Sequence, residues 1–107
     1  MTQEIENEIQ DKGLDAPRVT FDQIEALMSQ LKFDFTKVGA KGTLCSSYLG
    51  DFMVTQHYSA PVCVKNYNKE IGEKITKDVC WAKSKDKLWE LMGFALFKEL
   101  NSELFSD

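Results

Sequence analysis

The sequence predicts an α+β fold: a short N-terminal helix, a small antiparallel sheet of about three strands, and a helical C-terminal third. Three observations carry this reading. Apolar residues recur at helical spacing from Phe21 to Leu31, then alternate with polar residues from Lys32, and return to helical spacing after Asn66. No proline interrupts the last third. The chain has 107 residues, 43% of them hydrophobic and 28% charged, which suits one soluble globular domain.

Residues 1–15 are polar. Ile5 and Ile9 share one helical turn, but Gly13 and Pro17 follow closely. The segment is therefore expected to be a mobile arm, with residues 16–107 forming the domain. It is acidic and lacks an apolar stretch, so it has no pattern of a signal or transit peptide. Thr20 and Gln23 fit a capping box, and Asp22 favours the positive end of a helix dipole. Phe21, Ile24, Leu27, Met28 and Leu31 form one apolar face of the helix that follows.

Phe33 and Phe35 alternate with Lys32, Asp34 and Thr36, which is the spacing of a half-buried strand. A turn at Gly39-Ala40-Lys41-Gly42 leads to a hairpin, Thr43 to Leu49 and Phe52 to Ser59, across Gly50-Asp51. A two-residue turn puts Cys45, Ser47, Leu49, Phe52, Val54 and Tyr58 on one face, the expected core side. Leu44, Ser46, Tyr48, Met53, Thr55 and His57 fall on the other. That second face is apolar and aromatic, so it is expected to need a cover, a helix of this chain or another subunit. Pro61 ends the sheet.

Asn66 or Asn68 can cap the C-terminal helical region, where Ile71, Ile75, Val79 and Ala82 form an apolar stripe. The polar patch Lys83-Ser84-Lys85-Asp86-Lys87 interrupts it, and Leu88, Leu91, Met92, Ala95, Leu96 and Leu100 resume it. The pattern fits one long bent helix or two consecutive helices. The phase shift across the patch favours two, with Ser84 as the second N-cap.

Catalytic patterns are thin. His57 is the single histidine, and the hairpin register places it opposite the face of Cys45, which argues against a Cys–His nucleophile. Three cysteines without a CxxC pair suit packed thiols in a reducing compartment and give no metal site. No phosphate loop, dinucleotide fingerprint or metalloprotease motif occurs, so neither enzyme activity nor a cofactor is expected. The net charge is −4 and Arg18 is the single arginine, which disfavours sequence-specific DNA binding. No apolar run approaches the roughly 18 residues of a membrane span, so no membrane partner is expected.

Binding features stand out more. Arg18 lies two residues before an N-cap, suited to an anion. Trp89 and Gly93 share a helix face and leave a notch beside Phe94. Lys85 and Lys87 can draw in phosphates. These six form the candidate ligand site, and Tyr48, Met53 and His57 the candidate oligomer contact. Each has a plainer reading: an internal ion pair for Arg18, core packing for Trp89, solubility for the lysines.

Ala16-Pro17-Arg18-Val19-Thr20 with Ile24-Glu25, the hairpin end Ser59-Ala60, Asn66-Tyr67-Asn68, Glu70-Ile71-Gly72, Lys74-Ile75, and Leu88-Trp89, Leu91 and Gly93-Phe94 occur in one order. Together they resemble a family of small bacteriophage proteins, the gene-product-forty-nine family, over residues 16 to about 97. The chain differs in a longer spacing from Gly72 to Trp89, an extra helical turn within Val79–Lys83, and in Glu90 where the family carries proline. The resemblance implies a phage origin and a role in the cytoplasm of an infected host. It implies no catalytic site. The expectation is a non-enzymatic counter-defence or host-takeover protein, a homo-oligomer that sequesters a small nucleotide-type signal. The alternative is a protein-binding inhibitor of a host machine such as a nuclease or CRISPR complex.

Overall fold

The computed structural model describes residues 2–106. Local chemistry sets the first elements. Thr20 accepts from the Gln23 N–H at 3.2 Å, and the Gln23 side chain accepts from the Thr20 N–H at 2.9 Å. This reciprocal cap starts α2, Phe21–Met28. Upstream, Thr2 caps α1, Gln3–Asp11, so much of the segment expected to be an arm is helical. The sheet is a meander of β1 (Lys32–Val38), β2 (Gly42–Leu49) and β3 (Phe52–Ser59), antiparallel throughout with β2 in the centre. After a 3-10 turn at Val64–Asn66, Asn68 caps α3, which runs from Lys69 to Leu100. A second 3-10 turn, Ser102–Phe105, closes the described chain. The fold class is the α+β arrangement that the hydrophobic spacing predicts.

The hairpin register differs from the expected one. Leu49 pairs with Phe52 and Tyr48 with Met53, but Ser47 pairs with Thr55, which leaves Val54 as a bulge. A bulge adds one residue to one strand and exchanges the two faces beyond it. His57 therefore sits opposite Cys45 and shares its face, while Tyr58 sits opposite Leu44 on the other. The placement of His57 with Tyr48 and Met53 is corrected accordingly. Tyr48 and Met53 do lie on the face away from α3.

α3 is one continuous helix of 32 residues, which corrects the preference for two. Ser84 is no N-cap. It is fully buried, donates to the Cys80 carbonyl one turn back and meets the Ser47 hydroxyl at 2.6 Å. Ser84 belongs to a row of small residues at four-residue steps, Gly72, Thr76, Cys80 and Ser84, continued by Leu88. Residues spaced by four form one ridge of a helix. This ridge lies along the central and edge strands. Gly72 abuts Thr43, Thr76 meets the Ser59 hydroxyl at 2.5 Å, and the Cys80 thiol points at the Cys45 carbonyl at 3.6 Å. Small side chains bring the helix close to the sheet, and their hydroxyls fasten it.

The predicted stripe Ile71, Ile75 and Val79 lies on the flank of α3 beside this ridge instead, and all three residues are exposed. The apolar core is small. Ile24 and Met28 of α2, Leu31, Val54 and Leu88 form it, with Val19, Leu27, Phe33, Leu49, Trp89 and Met92 packed around. All of it lies on the α3 side of the sheet. The opposite face has no helix of this chain over it among the described residues, and Met53 and Tyr58 stand exposed there.

Candidate binding site

A cleft opens where the start of β2, the end of β3 and the first two turns of α3 converge. Gly72 makes it possible. A side-chain carbon at that position would lie 2.8 Å from the Thr43 hydroxyl, so only glycine lets α3 come this near β2. The cavity measures about 220 Å³. Ala60, Pro61, Ile71 and Ile75 supply apolar walls, and Lys41, Asn66 and Asn68 bring polar groups to the rim. Asn68 accepts from the Ile71 N–H at 3.0 Å, holding the first turn of α3 in place. Lys41 donates to the Val62 carbonyl at 2.6 Å, which ties the β1–β2 turn to the segment after β3. The positive end of a 32-residue helix faces this region. An apolar wall beside a lysine and a helix N-terminus suits a flat ring bearing an anionic substituent.

The ligand residues expected from the sequence do not converge. Arg18 is engaged within the chain: its Nη1 donates to both oxygens of Glu6 at 2.8 Å. Glu6 is buried, and also accepts from the Phe21 N–H at 3.1 Å, at the start of α2. The Arg18 guanidinium and that backbone bond hold the Glu6 carboxyl below its ordinary value. The anion that Arg18 was expected to attract is thus a side chain of α1. Lys85 is likewise engaged, with Glu25 at 2.6 Å and the rings of Phe21 and Trp81 close by. Lys87 is exposed on another side of α3, beside Thr55, Lys83 and Glu90. Residues two apart on a helix do not face each other, so Lys85 and Lys87 cannot grip one ligand. Trp89 packs against the core. Gly93 faces open space, and Phe94 is exposed with its ring edge-on to Phe105 at 5.9 Å.

The bulge brings His57 and Cys45 into register, and Cys45 is fully buried there. Burial, reinforced by the neighbouring Cys80, pushes the Cys45 thiol up to about 12. Its burial and its distance from ionising both suit a packed side chain.

The cleft residues were missed as a site because they form no catalytic motif and Lys41 is their single charged member. A signal did exist. Ser59-Ala60, Asn66-Tyr67-Asn68, Ile71-Gly72 and Ile75, dispersed along the sequence and all part of the phage-protein resemblance, line this one cleft. No curated protein and no solved structure matches the chain. The model of one family does match, over residues 2–100, and so takes in α1 as well as the sheet and α3. The chain belongs to the Phage protein (N4 Gp49/phage Sf6 gene 66) family.

Proposed function

We propose that this phage protein acts in the cytoplasm of the infected host by binding, not catalysis, as a counter-defence or host-takeover factor that sequesters a small nucleotide-type signal. The cleft at the N-terminal end of α3 carries this reading. Its apolar walls at Ile71 and Ile75 offer a surface for a base, and Lys41 with the α3 N-terminus offers compensation for phosphate. At about 220 Å³ it takes one ring and its substituent, below the 300–1,000 Å³ of sites that enclose a whole drug-sized ligand. Isothermal titration with a panel of cyclic and ADP-ribose-derived nucleotides tests it. Binding by the wild type that Ile75→Asp abolishes and Lys41→Ala weakens about tenfold is the expected result. Absence of heat with every member of the panel refutes it.

A second reading has its own support. The net charge of −4 and the exposed Ile71, Ile75 and Val79 on one flank of α3 suit an inhibitor that docks on a host nuclease or CRISPR complex. A stoichiometric host protein retained by the wild type and lost with Ile75→Asp favours this reading. A small molecule released on heating the purified protein favours sequestration.

A further inference from the structure

The chain exposes far more surface than a folded monomer of its mass. Its accessible area is 7572 Å², whereas a monomer of 12.2 kDa exposes about 6,100 Å². Its radius of gyration is 18.1 Å, against about 13 Å for a compact domain of this length. The cause is α3. At 1.5 Å per residue it is about 48 Å long, while the eight-residue strands beneath it span about 27 Å. Beyond Leu88 the helix outruns the sheet, and Met92, Ala95, Leu96 and Glu99 lean toward α2 and the segment before it.

The overhang is the most aromatic surface of the molecule. Phe94, Phe97, Leu100, Leu104 and Phe105 are each between 41% and 65% exposed. The turn Ser102–Phe105 folds back so that the Phe105 ring meets Phe94 and Phe97 edge-on, at 5.9 and 6.3 Å. The rings are thus gathered into one knob. Next to it is a hole. Gly93, one turn before Phe97 on the same side of α3, has no neighbour within 4 Å of the position its side chain would take.

We propose that this overhang is the interface of a homodimer, in which two α3 ends cross about a two-fold axis and Phe97 of each enters the notch over Gly93 of the other. The area matches. Five half-exposed side chains of this size offer roughly 500 Å² of apolar surface, a fitting centre for the roughly 800 Å² per partner of a standard interface. The charges match as well. Lys98, whose Nζ lies 5.8 Å from the centre of the Phe105 ring, and Glu103 border the knob, and a rim carrying both signs is complementary to its own two-fold copy. A single-sign rim would repel it.

Sedimentation velocity of the full chain at micromolar concentration, compared with three variants, tests the proposal. The wild type is expected to sediment as a dimer of twice the 12.2 kDa chain mass. Phe97→Asp is expected to raise the dissociation constant about 100-fold or more. Gly93→Glu should do the same, and it guards against misfolding: glutamate is the better helix former, and no atom of the chain obstructs it. Met53→Asp, on the open sheet face, should leave the dimer intact. In isotopically mixed wild type, a carbodiimide cross-link from Lys98 of one chain to Glu103 of the other is expected. A monomeric wild type overturns the proposal. So does a Gly93→Glu protein with undiminished dimerisation, or a dimer that Met53→Asp dissociates while Phe97→Asp does not.

Discussion

Replacing Ser84 with leucine separates two accounts of α3 by the size of its effect. The Ser84 hydroxyl lies 2.6 Å from that of Ser47 with no exposure to solvent, so three additional carbons have no space between helix and strand. Overpacking of this kind costs about 1–3 kcal/mol, and a site this tight belongs near the upper end. The better helix propensity of leucine returns about 0.3 kcal/mol. The net destabilisation is about 2.5 kcal/mol. With an unfolding entropy of about 2.1 cal/mol/K per residue, that lowers Tm by about 11 °C. Ser84→Ala leaves Ser47 bonded to Thr55, so its cost stays near 0.5 kcal/mol. Were Ser84 instead an exposed cap between two helices, both variants would lose the same cap and cost about 1 kcal/mol each. Thermal unfolding followed by circular dichroism, at one fixed protein concentration, measures the pair. Equal shifts for alanine and leucine refute a buried Ser84.

Three further outcomes are expected. Glu90→Pro, in the interior of α3, removes a backbone bond and clashes with the preceding turn, costing about 3 kcal/mol or about 13 °C in Tm; an unchanged Tm means that α3 is broken there. The Glu6 carboxyl is held below its ordinary value of 4.5, so its attachment to Arg18 is complete at neutral pH and is lost as the pH falls through the folded-state value. Amide protection factors over residues 3–11, with the intrinsic pH dependence divided out, should therefore fall in acid, and Arg18→Ala should show the lower protection at neutral pH with the difference vanishing in acid. Iodoacetamide at neutral pH should label Cys63, which is exposed, and spare Cys45 and Cys80 until the chain unfolds, as counted by mass spectrometry.

What the sequence revealed and what it concealed have separate physical causes. The capping box at Thr20 and Gln23 and the cap at Asn68 are local, decided by residues three apart, and both are present in the structure. The strands were equally legible from their alternation. The bulge at Val54 was not, because Gly50-Asp51 specifies a tight turn and nothing beside Val54 marks an inserted residue. One unmarked residue was enough to move His57 and Tyr58 to opposite faces. In α3 the error had another source. An apolar stripe ordinarily marks the buried side of a helix, and Ile71, Ile75 and Val79 make such a stripe. The side that is buried carries glycine, threonine, cysteine and serine, whose spacing was plain but whose chemistry does not announce a core. For Arg18 the structure shows the plainer of its two sequence readings, an internal ion pair, with Glu6 twelve residues earlier on a helix the sequence barely signals.

The row from Gly72 to Ser84 also constrains how the length of this protein can vary. Each member meets a particular partner on the sheet, so the row behaves as a toothed rack whose pitch is four residues. Adding or losing one, two or three residues within it would rotate every later tooth away from its slot and leave hydroxyls buried without partners. A gain or loss of four returns a residue to the same ridge. Length variation among relatives is therefore expected in whole steps of four between Gly72 and Leu88, and without that restriction beyond Leu88, where the helix has left the sheet behind.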